Sequence, residues 1–235
     1  MSENSVVVEE NNIMDCREPS LSNVKRFEQS NEICVKGIIE ENFKYSHGAF
    51  GREFFKTRVK VARLSGVDDY IPILVSVLLL PNILTESFKG KYIEVEGQLR
   101  SYHIWGDDNR RHLKLFLFAK KIEIDEGEDT ITDGENLVYL EGCIGNVPLY
   151  KKTHLGRRIT ELFIITHRSF GASDYIPCIA WGSVAVRASK LVVGDKIRLQ
   201  GRFQSREYFK RLSPDSQEGE KRIAYEVSIM EMEVI

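Results

Sequence analysis

Residues 174–205 read DYIPCIAWGSVAVRASKLVVGDKIRLQGRFQS, and the changes of pattern inside this stretch decide the architecture. YIPCIAW is rich in β-branched and aromatic residues and predicts a strand. SVAVRASKLVVG then changes period. Val184, Ala185, Ala188 and Leu191 share one helical face, Ser183 is placed to cap the N-terminus, and Gly194 is placed to end the segment. DKIRLQGRFQ returns to strict alternation, with Ile197, Leu199 and Phe203 on one side and Lys196, Arg198, Gln200 and Arg202 on the other. The order is strand, short helix, strand.

Working outward, LVYLEGCIGNV and ITELFIITH upstream read as two more strands, and RIAYEVSIMEMEVI downstream as a last one. Gly142 predicts a bulge where the first strand bends. Three strands, one helix and two further strands is the order of the OB-fold, a partly open Greek-key barrel.

The same order occurs twice. Asn31, Gly37, Gly51, Arg52 and Asp69-Tyr70-Ile71-Pro72 return 105 residues later as Asn136, Gly142, Gly156, Arg157 and Asp174-Tyr175-Ile176-Pro177. After one deletion, Gly90, Gly97 and Ser101 match Gly194, Gly201 and Ser205. The expected fold is all-β, two tandem five-stranded OB barrels with one short helix each. The expected divisions are a flexible N-terminal segment over 1–30, a first barrel over 31–122, an acidic linker over 123–135 and a second barrel over 136–235.

A formal net charge of −2 conceals strong local asymmetry. Residues 123–135 hold no Lys or Arg against 7 acidic residues, whereas 136–222 hold 15 against 8. A polyanionic partner responds to that local field rather than to the whole-chain sum. The four cysteines form no CxxC pair and have no ligand spacing with the five histidines. Cys34 and Cys178 sit inside strand-like runs, which predicts small buried thiols in a reducing compartment. The opening MSENSVVVEENN has neither a basic start nor an apolar stretch, so the expected address is the cytoplasm. No Walker A loop, zinc deaminase signature or nucleophile elbow is present, so no catalytic residue, metal or cofactor is expected.

NVPLYKKTHLGRRITELFIITHR, DYIPCIAWGSVAVRAS and GDKIRLQGRFQSREY together make residues 136–235 resemble the bacterial-type single-stranded DNA-binding protein family. Residues 31–124 resemble it more weakly, through ICVKGII, DYIP and KGKYIEVEGQLRS. The resemblance implies single-stranded DNA binding in replication, recombination or repair, association with the bacterial nucleoid, and a homodimer supplying four OB-folds. It places base-stacking rings at Phe170, Tyr175, Trp181 and Tyr208. Stacking suits sequence-indifferent binding because every base has a π-face, and cations track the backbone. The candidate cations are Arg157, Arg158, Arg168, Lys196, Arg198, Arg202, Arg206, Lys210 and Arg211. RNA remains an admissible ligand, since stacking does not inspect the sugar.

The first copy departs from this pattern. Ser65 and Ser76 stand where Phe170 and Trp181 stand, Ile104 stands where Tyr208 stands, and Tyr92, Glu94 and Gln98 replace Lys196, Arg198 and Arg202. Weaker strand binding by that half is expected. Family members commonly carry an acidic tip that recruits replication and repair proteins. EMEVI reads instead as the last strand, so recruitment through such a tip is not expected. The competing reading is an OB-fold adaptor of a primosome or recombination complex that binds DNA weakly, and the fold alone does not separate the two.

Overall fold

The computed structural model describes residues 30–106, 109–125, 135–153, 155–168, 171–211 and 219–235, apart from the side chains of Lys210 and Arg211. Most of the expected N-terminal segment and of the acidic linker therefore lies outside the described residues. The first half contains β1 (Asn31–Ile39), β2 (Lys44–Ala49), β3 (Arg52–Ala62), β4 (Asp68–Ser76), a 3-10 turn (Pro81–Leu84), β5 (Tyr92–Trp105) and β6 (Arg111–Asp125). The second contains β7 (Asn136–Ile144), β8 (Leu149–Lys152), β9 (Arg158–His167), β10 (Ser173–Trp181), α1 (Gly182–Ala188), β11 (Lys196–Arg211) and β12 (Gly219–Val234). Strand β6 runs to Asp125, so the start of the expected linker is strand.

All twelve strands form one sheet in the order β2-β3-β4-β6-β5-β1-β7-β11-β12-β10-β9-β8. The two halves of this order are mirror sequences of equivalent strands. Extra pairings β1–β3 and β7–β9 close each half on itself, and β4–β6 and β10–β12 pair in parallel. The all-β tandem OB architecture is what the alternating pattern predicts. Each barrel uses six segments because its first strand is broken: β7 and β8 both pair with β9, at Ile144↔Ile164 and at Leu149↔Glu161.

Each barrel is filled by the residues whose period points inward. Ile197, Leu199 and Phe203 are buried, as are Ile164, Ile176 and Val227 on the strands around them. Ala185, Ala188 and Leu191 close the second barrel from α1 and the turn after it. Burial pushes the Cys178 thiol well above its ordinary value, as suits an inert core cysteine.

Three local expectations need correction. Gly142 is not a bulge, because the β7–β11 register runs through it unbroken. Its role is close approach: a Cβ there would lie 2.4 Å from the Ile165 carbonyl oxygen, and one at Gly37 would lie 2.2 Å from that of Lys60. The register shifts fall instead beside Gly97 and Gly201. Ser183 does not cap α1, since β10 runs directly into the helix, Trp181 takes the N-cap position and Gly182 makes the turn at φ +58°. In the first half the expected helix is a single 3-10 turn. Pro81 can open a turn, but four residues allow no α-helical ladder to propagate.

A local twofold relates the barrels. Strands β1 and β7 pair antiparallel, with Ile33 opposite Val138, its own counterpart in the repeat. Around this axis the repeated residues bond reciprocally. Asp174 accepts the Ser101 N–H at 2.6 Å and the Arg168 Nε–H at 2.6 Å, while the Tyr175 N–H donates to Ser101 Oγ at 2.8 Å. In mirror image, Asp69 accepts the Ser205 N–H at 2.8 Å and the Arg63 Nε–H at 2.8 Å, and the Tyr70 N–H donates to Ser205 Oγ at 3.0 Å. Both carboxylates are buried, and each holds an Arg fork together with a backbone N–H from the other barrel. Removing one partner of such a buried pair typically costs about 3–5 kcal/mol. Asp174→Ala is therefore expected to lower the urea midpoint by a loss of that order. A loss below about 1 kcal/mol, the scale of an exposed pair, would mean the barrels are not held by these carboxylates.

Candidate nucleic-acid interface

Alternation along β10 sends Asp174, Ile176, Cys178 and Ala180 into the second barrel and leaves Tyr175, Pro177 and Trp181 on its outer face, with Ile179 on that side but buried. Tyr175 is 44% exposed and Trp181 is half-buried, six residues along the same strand and about 20 Å away. Strand β9 adds Ile165 opposite Tyr175, Phe163 opposite Pro177 and Ile159 opposite Trp181. Phe163 is exposed between the two expected rings, so the face presents three flat side chains. In the sequence Phe163 hides inside ITELFIITH, in the apolar run of residues 162–165. The signal for it is the period, since Leu162 and Ile164 are buried and Phe163 must face away.

Cations collect at one end of this face. The β8–β9 hairpin carries Lys151, Lys152, Arg157 and Arg158, with Lys151 opposite Ile159, itself the register partner of Trp181. Gly156, at φ +75°, makes the turn, and the Arg157 N–H donates to Thr153 Oγ1 at 3.0 Å. Arg157 and Arg158 are exposed, while Lys151 is paired with Glu161 at 2.9 Å. At the other end, the β11–β12 ribbon raises Arg206 and Tyr208 on successive outward positions, and the guanidinium lies 5.9 Å from the ring centroid. Arg206 also meets Glu226 at 3.4 Å.

Four expected cations are not part of this group. Arg168 is committed to Asp174 and donates to the Ser101 carbonyl at 3.1 Å, so its fork faces the seam between the barrels. Arg202 lies 3.6 Å from Asp69 at the mirror seam. Lys196 and Arg198 sit at the far end of β11, where Glu141 meets them at 2.8 and 3.4 Å and Glu233 takes Arg198 at 2.8 Å. Their hydrogen bonds, with Lys196 foremost, hold the Glu141 carboxyl below its ordinary value. Ten residues separate Arg198 from Tyr208, about 33 Å along the strand. Alternation assigns the correct face to these side chains but not the partners waiting on the neighbouring strands. Phe170 and the side chains of Lys210 and Arg211 lie outside the described residues.

The first barrel contributes one of the β5 side chains, Arg100, Tyr102, His103 and Trp105, that the sequence offers as further strand contacts. His103, on the β5–β6 ribbon, stands edge-on to Tyr175 with ring centroids 6.4 Å apart. Strand β5 packs against β10 across the seam, and Tyr102 and Trp105 of β5 are exposed. Where the second barrel has Trp181, the first has a buried Ser76, and Lys36 is held between Glu94 at 3.2 Å and Glu135 at 3.0 Å.

Residues 135–235 match the model of the single-strand binding protein family. The fold is similar to that of the single-stranded DNA binding protein from Thermus aquaticus. A deletion mutant of that protein aligns at 19% identity and a TM-score of 0.69, covering 87% of this chain and 94% of the other. The wild-type form aligns at 19% identity and a TM-score of 0.67, covering 87% and 92%. At that identity the likeness establishes the tandem fold. No curated protein matches the chain.

The two tryptophans report on this geometry. Trp105 is 72% exposed and Trp181 half-buried, so the Trp181→Phe chain should emit further to the red and be quenched more by acrylamide than the Trp105→Phe chain. The reverse order would mean that the outer face of β10 is not oriented as described.

Proposed function

We propose that this chain, whose residues 135–235 belong to the single-strand binding protein family, holds single-stranded DNA without regard to sequence and catalyses no reaction. The observation that carries the reading is the row of Tyr175, Phe163 and Trp181 on one outer face, with the basic β8–β9 hairpin at its end. Unpaired bases stack on flat rings whatever their identity, and Arg157, Arg158 and Lys152 supply charge for the backbone. Arg206 and Tyr208 extend the surface along the ribbon, with Phe170, Lys210 and Arg211 as further contacts by family resemblance. The setting is DNA replication, recombination or repair in the bacterial cytoplasm, at the nucleoid, and a homodimer brings four OB-folds together. Val192, Val193, Val234 and Ile235, exposed on neighbouring segments at one end of the second barrel, support such an association. RNA is a secondary ligand on the same surface.

The first barrel has the lesser share of binding, because its Trp181 counterpart is buried Ser76 and its Lys36 is paired with acid. An adaptor role for that barrel is favoured by Phe50, fully exposed at the tip of the β2–β3 hairpin. The two readings part on a titration of the full chain with oligo-dT followed by tryptophan fluorescence. Salt-sensitive quenching is expected. Tyr175→Ala and Trp181→Ala should each weaken binding by about 1–3 kcal/mol, roughly 5- to 150-fold. Silence at micromolar protein would reject the strand-binding reading and leave the adaptor. If Trp105→Ala weakens binding as much as Trp181→Ala, the unequal division between barrels is wrong.

A further inference from the structure

The seam between the barrels opens into a cleft of about 540 Å³ whose lining includes Gln98, Arg100, Lys120, His167, Arg168 and Asp174. We infer that this cleft is a binding site for a phosphate group.

Charge is the first reason. Arg100, Lys120 and Arg168 line the cleft with Asp174, Glu32 lies beside Lys120, and Asp174 is already occupied by the Arg168 fork and the Ser101 N–H. Arg100 stays 3.9 Å from Asp174, donates to Gln98 Oε1 at 2.6 Å and leaves its buried Nε without a hydrogen-bond partner. Burial and then Arg168 lower the Arg100 pKa, and burial and then Arg100 lower that of Lys120, with Glu32 only partly opposing. The cleft thus gathers positive charge at a cost that an entering anion would relieve.

Symmetry is the second reason. The reciprocal bonds around Asp69 and Asp174 match closely, so any charge needed to join the barrels should appear on both sides of the twofold. It does not. Lys120 is the residue skipped at the β6 register shift, and the residue skipped at the matching shift in β12 is Met230. The repeat puts Gln204 at the place of Arg100 and Ala62 at the place of His167, and Glu135 stands where Ser30 stands. Arg202 in place of Gln98 returns one cation, and it is already drawn to Asp69. The positive cleft is an addition to one seam and not a requirement of the joint.

Phosphate suits the donor set. Planar guanidinium and ammonium groups converge beside an amide side chain, and His167, whose Nδ1 lies 3.0 Å from Ser173 Oγ, adds a ring donor. Two sources share this chemistry, a phosphodiester of a bound strand and a free phosphate. The strand source rests on the proposed function: β5 carries both Arg100 of the cleft and His103, which stands edge-on to Tyr175.

The test uses the full chain and Lys120→Glu, with Lys120→Arg as the rescue; Lys120 is the residue skipped in the β5–β6 register and is not part of the barrel core. In wild type, inorganic phosphate should shift the His167 ring resonances, and Lys120→Glu should abolish the shift. With oligo-dT, the log–log salt slope should fall by about 0.7, the share of one phosphate that the variant no longer neutralises, while the Trp181 quench at saturation is unchanged. Lys120→Arg should restore both. A resonance shift with an unaltered slope assigns the site to free phosphate, and an altered slope without the shift assigns it to the strand. No shift and no change in slope overturns the inference. A wild type that ignores oligo-dT refutes the strand-binding reading instead, and the phosphate titration then decides the cleft alone.

Discussion

The antiparallel pairing of β1 with β7 is the interaction on which the rest of the molecule depends. Five residue pairs, Asn31↔Leu140 to Val35↔Asn136, join two barrels into a continuous sheet and remove an exposed edge from each. Because Ile33 meets its own counterpart Val138, the joint is isologous within a single chain, as a twofold dimer interface would be between chains. That register fixes everything downstream. It carries Ser101 to Asp174 and Ser205 to Asp69, and it lays the β5–β6 ribbon against Tyr175. A shift by one residue would turn the apolar face of β1 outward and separate both carboxylates from their donors.

This joint also explains which parts of the fold are legible in the sequence. Period-two alternation marks Ile197, Leu199 and Phe203 as core, because each strand's inward face is a local property of its own residues. The repeated DYIP and Ser101/Ser205 are visible as a duplication, but their purpose is not. Asp174 finds its donor 73 residues away on another barrel, and no local pattern encodes that meeting. Arg168 and Arg202 mislead for the same reason. A basic residue near a base-stacking strand looks the same whether its partner is a phosphate or a buried carboxylate. Gly142 is ambiguous in its own way: a glycine in a strand signals either a bulge or a close approach, and only the position of the Ile165 carbonyl separates them.

The site shows the same division. Alternation and resemblance together place Tyr175 and Trp181, and the register with β9 then adds Phe163 between them. Phe163 is masked by the run around it, in which apolar residues occupy both faces of the strand. His103 is legible in the sequence only as one of four β5 candidates, with Arg100, Tyr102 and Trp105, and its place beside Tyr175 is set by the seam. The first barrel differs from the second at Ser76 and Glu94, yet the crossed ribbons bring its His103 to the second barrel's surface.

Asymmetry within a symmetric joint therefore separates what folding needs from what it tolerates. The paired carboxylates, the Asn31 and Asn136 amides that hold the facing strands at Leu99 and Phe203, and the glycines at the close approaches occur in both halves, and each satisfies a buried polar group or a steric limit. Trp181, Phe163, Arg158 of the β8–β9 hairpin and the seam cations Arg100 and Lys120 have Ser76, Arg58, Glu53, Gln204 and Met230 at the equivalent positions, although Tyr175 keeps its counterpart in Tyr70. A buried polar group without a partner is costly, so the shared set is what the folded chain requires. The unshared set answers to no such demand. Burial and then Arg168 lower the Arg100 pKa, and burial and then Arg100 lower that of Lys120, a cost that folding alone gives no reason to keep. Cations kept together in a cleft, where the equivalent positions of the other seam hold Gln204 and Met230, are the pattern expected of a surface shaped by an anion.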